Sequence, residues 1–205
     1  MSDRSSKPLG RPRGFDRGVA LHQALHEFWR HGYQATSIAS LTSAMNIQPP
    51  SLYAAFGDKS SLFRECVGLY RRIYENDVTE AFQEEPTARR AIERMLGVLA
   101  VQYTDPTHPP GCLIISATAA HGADAAEVAE ELRQLREGFK AGLAARIAHD
   151  VGAGILPPKT DAKALAVSFA ATIQGMSCQA QDGASREDLQ AIARLAMAAW
   201  PTAQA

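Results

Sequence analysis

Cysteine is scarce in this 205-residue chain. Cys66, Cys112 and Cys178 are odd in number and show no CxxC spacing, which excludes a disulfide framework and a cysteine-based zinc site and fits a reducing compartment. No apolar run reaches the ~20 residues that a membrane helix needs, and the N-terminus shows no apolar segment of the secretory kind. A cytoplasmic protein without membrane contact is therefore expected. Long β-branched runs are missing too, so the chain reads as mostly helical, and its length suffices to bury a sizeable core. Nor does the sequence offer a convergent set of acid, base and nucleophile. His22 and His26 stand four apart like metal ligands, but no third ligand clusters with them, and they read as solvent-facing side chains on the first helix. The protein is thus expected to be no enzyme and to need neither metal nor cofactor.

What is present is concentrated between Thr36 and Lys59, TSIASLTSAMNIQPPSLYAAFGDK. Thr36 is a good N-cap, and Ile38, Leu41, Thr42 and Met45 fall at the i, i+3, i+4, i+7 spacing of a helix with one buried face, predicting a helix over 37–45. Asn46 follows, a residue that tolerates left-handed backbone, and Ile47 can plug the turn. Gln48, Pro49 and Pro50 then open a second helix, where proline is tolerated because first-turn amides lack intrahelical acceptors. Leu52 and Phe56 anchor this short helix, leaving Gln48, Ser51, Tyr53 and Ala54 to face outward. By periodicity alone the stretch could be an ordinary αα-hairpin; the outward polar face reads as a helix-turn-helix.

The flanks favour the second reading. A helix over 16–31 places Ala20, Leu21, Ala24, Leu25 and Phe28 on one face, with Gly32 as its stop. Upstream, SSKPLGRPRG is too rich in proline, glycine and charge to fold by itself, and a basic arm beside a helix-turn-helix is suited to the minor groove. The charge is divided accordingly. Up to Arg72 there are ten basic residues against five acidic ones, so with a formal net charge of -1 overall the remainder carries six negative charges.

These residues resemble the DNA-binding domain of the TetR/AcrR family of bacterial transcriptional regulators. The resemblance rests on Gly10-Arg11-Pro12-Arg13, Phe28, Gly32-Tyr33, Thr36-Ser37, Leu41, Met45, Ser51-Leu52-Tyr53, Phe56 and Lys59, in order and at the family's spacing. Pro50 and Asn46 depart from it, since the family usually has glycine or alanine at the first position and glycine at the second. Two prolines also remove amide donors at the N-terminus of the recognition helix, so phosphate contact there must lean on side chains. The resemblance implies an all-α protein: a basic arm over 1–15, a three-helix head with the helix-turn-helix over 16–58, and a helical effector-binding and dimerisation body over 59–205. It implies a homodimer on a pseudo-palindromic operator in double-stranded DNA, most simply a repressor released by a small-molecule effector. Arg11 and Arg13 would enter the minor groove, and Gln48 and Ser51 would read base edges. Tyr53, Lys59 and Thr36 would hold phosphates, with Ser37 and Pro49 completing the contact set.

In the body, the pattern predicts one long connecting helix from Asp58 to about Phe82, then Thr87 to Tyr103 with Ile92, Met95, Leu96 and Leu99 as its seam. TDPTHPPG reads as a loop. The apolar run after Cys112 reads as a short buried helix, with a buried strand as the alternative. A charged amphipathic helix over about 124–151 follows. The last two helices, about 161–180 and 185–200, are rich in alanine, and the second opens on a capping box at Ser185. By resemblance this pair forms the seam between two subunits. An effector pocket would draw on Tyr70, Tyr74, Phe82, Tyr103, Cys112 and Ile115, and on Thr118, His121, Phe139, Phe169, Ile173 and Gln174, because such sites need apolar walls with a few polar anchors. The alternative mode of response is thiol chemistry: Cys112, at a helix N-terminus, would have a lowered pKa and sense oxidants or electrophiles.

Overall fold

In the computed structural model, which describes residues 14–117 and 125–201, every regular element is a helix. The first, α1 (Arg17–Ala35), is capped by Asp16, whose carboxylate accepts the amides of Gly18 and Val19. Gly32 interrupts it with φ 74° and ψ 170°, backbone that favours glycine, so the regular part ends where the sequence places the stop. The turn helix α2 (Ile38–Ala44) starts one residue later than expected. Ser37, not Thr36, is its cap, sharing a reciprocal capping box with Ser40. Thr36 is instead 1% exposed, and its hydroxyl donates to the Gly32 carbonyl at 2.6 Å. Asn46 adopts φ 51°, the left-handed turn that leads to α3 (Pro49–Phe56).

Leu41, Leu52 and Phe56 pin α2 and α3 onto a shared core with Phe28, Tyr33 and Phe63. The rings of Phe28 and Phe63 meet edge to face with centroids 5.0 Å apart. Phe63 belongs to α4 (Lys59–Tyr74), capped by Asp58 and packed against α1. The predicted long helix is two helices. α4 ends at Glu75, and α5 (Asn76–Glu84) continues after it. The Asn76 side chain donates to the Arg72 carbonyl at 3.0 Å, a local bond that competes with the helical ladder, and Asn-Asp is a weak pair for a helix interior.

α6 (Ala88–Gln102) opens after Pro86 with Thr87 as its cap, and its first amide, that of Ala88, donates to the buried carboxylate of Asp150 at 2.7 Å. After the 103–112 loop comes a single helical turn, α7 (Leu113–Ser116), so the helix and not the strand is found there. Gly111, at φ 76°, leads into it. A Cβ at that position would stand 2.7 Å from the Ser177 carbonyl, and the next amide, that of Cys112, donates to the Ser177 hydroxyl at 2.9 Å. The loop is therefore held on α9 (Ala162–Gln181). Before α9 runs α8 (Ala126–Gly152), and after it α10 (Arg186–Ala198), whose Ser185 forms the expected capping box with Asp188. α10 packs on α6 and α9, and α8 packs on α9. No helix among the described residues is long and apolar enough to cross a membrane.

Candidate nucleic-acid interface and effector cavity

The outer face of α3 is a polar edge around an aromatic. Gln48, Pro49 and Pro50 are exposed, Ser51 is half-buried, and Tyr53 is 51% exposed although its neighbours Leu52 and Phe56 are in the core. Gln48 is the N-cap but makes no capping bond with its side chain. The first turn of the helix is poor in free amides: two prolines supply none, and the Ser51 amide donates to the Gln48 carbonyl at 2.9 Å. Contact with a partner must therefore lean on side chains here. Lys59 stands beside this edge with its ammonium 4.5 Å from the centroid of the Tyr33 ring, and partial burial lowers its pKa. Ser37 is exposed at the start of α2. Thr36 is not available as a phosphate ligand, because its side chain is buried and its hydroxyl is engaged within its own turn. Arg11 and Arg13 lie outside the described residues.

A cavity of about 450 Å³ opens in the body, within the range of small-molecule sites. Tyr70 and Tyr74 of α4 line it, as do Val78 and Phe82 of α5, Met95 and Leu99 of α6, and Tyr103 that caps α6. Cys112, Ile114 and Ile115 close one end. Phe139 of α8 and Ile173 and Gln174 of α9 close another. Phe169 is not in the wall. It sits one turn before Ile173 on the same face of α9, where its ring meets Trp200 with centroids 5.6 Å apart, so the end of the chain and not the cavity covers it. Thr118 and His121 lie outside the described residues.

Three polar groups meet at the closed end. The Tyr70 hydroxyl donates to Cys112 Sγ at 3.3 Å, and the buried Tyr103 lines the same end of the cavity. Burial pushes all three acids upward, the two phenols well above their ordinary range. The expected lowering of the Cys112 pKa is therefore reversed: desolvation outweighs the Tyr70 hydrogen bond and the amides of a helix only four residues long. Sequence reasoning also missed the polar rim, Arg71, Glu75, Gln102, Gln134 and Arg136. Arg71 Nε bonds Glu75 at 2.7 Å, and Arg136 donates to the Ile114 carbonyl at 3.0 Å. The i, i+4 row Tyr70, Tyr74, Val78, Phe82 was the available signal for which faces of α4 and α5 point inward.

The cavity touches the head through one aromatic cluster. Trp29 of α1 packs edge to face on Tyr70 and Tyr74, with centroids at 4.8 and 5.0 Å, and stacks on His108 at 4.7 Å. His26 faces Trp29 and is half-buried, its Nε2 without a hydrogen-bond partner, so it is not the solvent-facing histidine expected from the sequence. Among the described residues no group of three or more potential ligands could hold a metal ion.

This architecture has known counterparts. A sequence model described as bacterial regulatory proteins, tetR family, matches residues 20–66, and one described as tetracyclin repressor-like, C-terminal domain, matches residues 88–196. The chain belongs to the TetR family. It is 34% identical to the HTH-type transcriptional repressor ComR of Escherichia coli, over 95% of this chain and 93% of that protein. A cysteine-substituted form of the TetR family transcriptional regulator CifR, solved with 26-base-pair operator DNA, is 36% identical and superposes with a TM-score of 0.88, covering 94% of this chain and all of that one. A TetR regulator from Rhodococcus sp. RHA1 is 38% identical over 92% of this chain, with a TM-score of 0.61. The protein is thus a DNA-binding transcriptional regulator of the TetR family, with the helix-turn-helix in α2 and α3.

Proposed function

We propose that this TetR-family regulator is a repressor that binds a pseudo-palindromic operator as a homodimer and leaves it when a small molecule fills the 450 Å³ cavity. The observation that carries the reading is the shared aromatic cluster: Tyr70 and Tyr74 are at once cavity wall and the seat of Trp29 in the head. A ligand that repositions those two rings repositions α1, and with it α3. This is rigid-body coupling, typically ~1 to 3 kcal/mol. Pairing is supported by the outer faces of α9 and α10, where Val167 is 45% and Leu195 74% exposed beside Ala171, Gly175 and Ala198. Two copies related by a two-fold axis would set their α3 helices in successive major grooves, roughly 34 Å apart. Gln48 and Ser51 are then the base readers, Tyr53, Lys59 and Ser37 hold phosphates, Pro49 packs against the sugar edge, and Arg11 and Arg13 follow the minor groove.

Selection from random duplex DNA tests this directly: two-fold related half-sites should be enriched, and their absence would overturn the reading. On the selected operator, Lys59→Met keeps the apolar stem over Tyr33 and removes the charge. It should weaken all sequences alike and reduce the salt dependence by about 1.8 in log–log slope for a dimer. Gln48→Ala should instead relax preference at one position per half-site.

A second reading is favoured by the Tyr70–Cys112 contact inside the cavity. A quinone that enters would take the Cys112 sulfur onto a ring carbon, its carbonyls becoming hydroquinone hydroxyls as the thiol proton and the proton of that carbon move to the oxygens, and the new thioether would displace the Tyr70 hydroxyl. The raised pKa makes this a slow reaction at neutral pH. Release of operator by a quinone in the wild type but not in Cys112→Ser supports it, and equal release in both returns the cavity to reversible binding.

A further inference from the structure

The cavity mouth is built on two glycines in the middle of a helix. In α8, Gln134, Gly138 and Gly142 stand four apart and form one ridge, beside a parallel ridge of Leu135, Phe139 and Leu143; all six line the cavity. Gly138, Phe139 and Gly142 are also exposed, so this is where the cavity meets solvent. Glycine is the poorest helix former after proline, and neither position needs it for space: a Cβ at either would meet nothing within 4 Å. Both have helical backbone, so no left-handed turn requires glycine there either. Gly68, Gly97 and Gly175 are helical glycines with equal room for a Cβ, but Gly138 and Gly142 stand one turn apart on a cavity opening, and what their missing side chains leave free is the way in. They turn the ridge into a trench whose floor is main chain.

Resting on the reading of this cavity as the effector site, we infer that Gly138 and Gly142 form its entrance and seat, and that the ligand is a neutral, flat apolar molecule whose edge lies on the α8 backbone against Phe139. Neutrality follows from the cations of the rim. Arg71 is bonded to Glu75 at 2.7 Å, and Arg136 donates to the Ile114 carbonyl at 3.0 Å, so a charged ligand would have to displace an existing partner. Gln134 is engaged as well, its amide donating to Glu130 at 2.9 Å, and the side-chain amides of Gln102 and Gln174 suit a single oxygen or nitrogen on an otherwise apolar ring system.

The test uses N-phenyl-1-naphthylamine, a neutral flat dye that fluoresces in apolar surroundings, with the full-length protein. Gly138→Ala and Gly142→Ala should each raise the melting temperature of the free protein by about 2 to 4 °C, and both should weaken dye binding several-fold and slow its uptake. Gly142→Leu should weaken binding by more than tenfold. Gly97→Ala, an exposed glycine of α6 away from the cavity and equally free of contacts, should raise the melting temperature and leave dye binding unchanged. If the alanine variants bind dye with wild-type affinity and rate, or melt lower, the inference is wrong. Leu99→Phe, filling the far wall, checks the cavity itself. If it binds dye like the wild type, the dye is not in the cavity, and both the effector-site reading and the entrance fall.

Discussion

At the scale of single residues, the informative side chains are those whose surroundings contradict their type. His26 is the sharpest case. Burial, assisted by His22, Arg30 and His108, lowers its pKa to about 4, so it stays neutral in the folded protein where an unfolded histidine would be protonated. The unfolded chain therefore binds an extra proton between about pH 6.5 and pH 4, and stability falls as pH drops through that window. His26→Gln keeps the shape and removes the titration. Thermal melts at pH 7 and pH 5 should show a smaller loss in the variant than in the wild type, and parallel losses would assign the effect to other groups. Thr36 and Cys112 teach the same lesson from the side of function. The resemblance gives the first a phosphate and its place at a helix start gives the second a lowered pKa, and burial, which neither signal reveals, opposes both.

At the scale of elements, the head was legible because its signals are local. Asn46, the proline pair and the Leu52–Phe56 spacing each act within a few residues, and the structure places a left-handed turn, a helix start and a buried face where they stand. The break at Glu75 was not legible, since the apolar row Tyr70, Tyr74, Val78, Phe82 keeps helical spacing across it and only the Asn76 back-bond interrupts the ladder. Phe169 was misplaced for a different reason. An apolar face of α9 exists as expected, but periodicity cannot say whether the cavity or α10 with Trp200 covers a given ring. The 103–112 loop adds a testable element. Gly111→Ala places a Cβ 2.7 Å from the Ser177 carbonyl and in left-handed backbone that alone costs about 1 to 2 kcal/mol. The variant should lose more than that in urea unfolding, and it should also perturb the cavity end that Cys112 forms. A loss below ~1 kcal/mol would mean that the loop is not held on α9.

At the scale of the whole molecule, α4 carries two side-chain links, one to the head and one to α8 in the body. One is the aromatic cluster on Trp29. The other is Arg64 of α4, whose guanidinium bonds Glu131 of α8 at 2.8 Å and Glu127 at 3.2 Å. Of the two, the aromatic cluster includes cavity wall in Tyr70 and Tyr74, so changes there reach the head through Trp29. Exposed pairs of this kind contribute little to stability, and the arginine matters more as a register between helices than as a source of energy. The same separation of roles governs the N-terminal arm. Arg4, Lys7, Arg11 and Arg13 are four of the ten basic residues up to Arg72, in a stretch whose proline, glycine and charge offer little apolar surface to bury. Removing residues through Arg13 should therefore leave the melting temperature within about 1 °C, because exposed termini carry little of a fold's stability. Operator affinity should fall on the order of tenfold at physiological salt, with the log–log salt slope reduced by about 0.9 for each phosphate that the arm no longer neutralises. The slope separates the explanations. An arm that merely raises the local positive potential would lose affinity at low salt only, whereas an arm that lies in the minor groove loses it throughout. A truncated protein that binds as tightly as the full chain across the salt range would leave recognition to α3 and its neighbours alone.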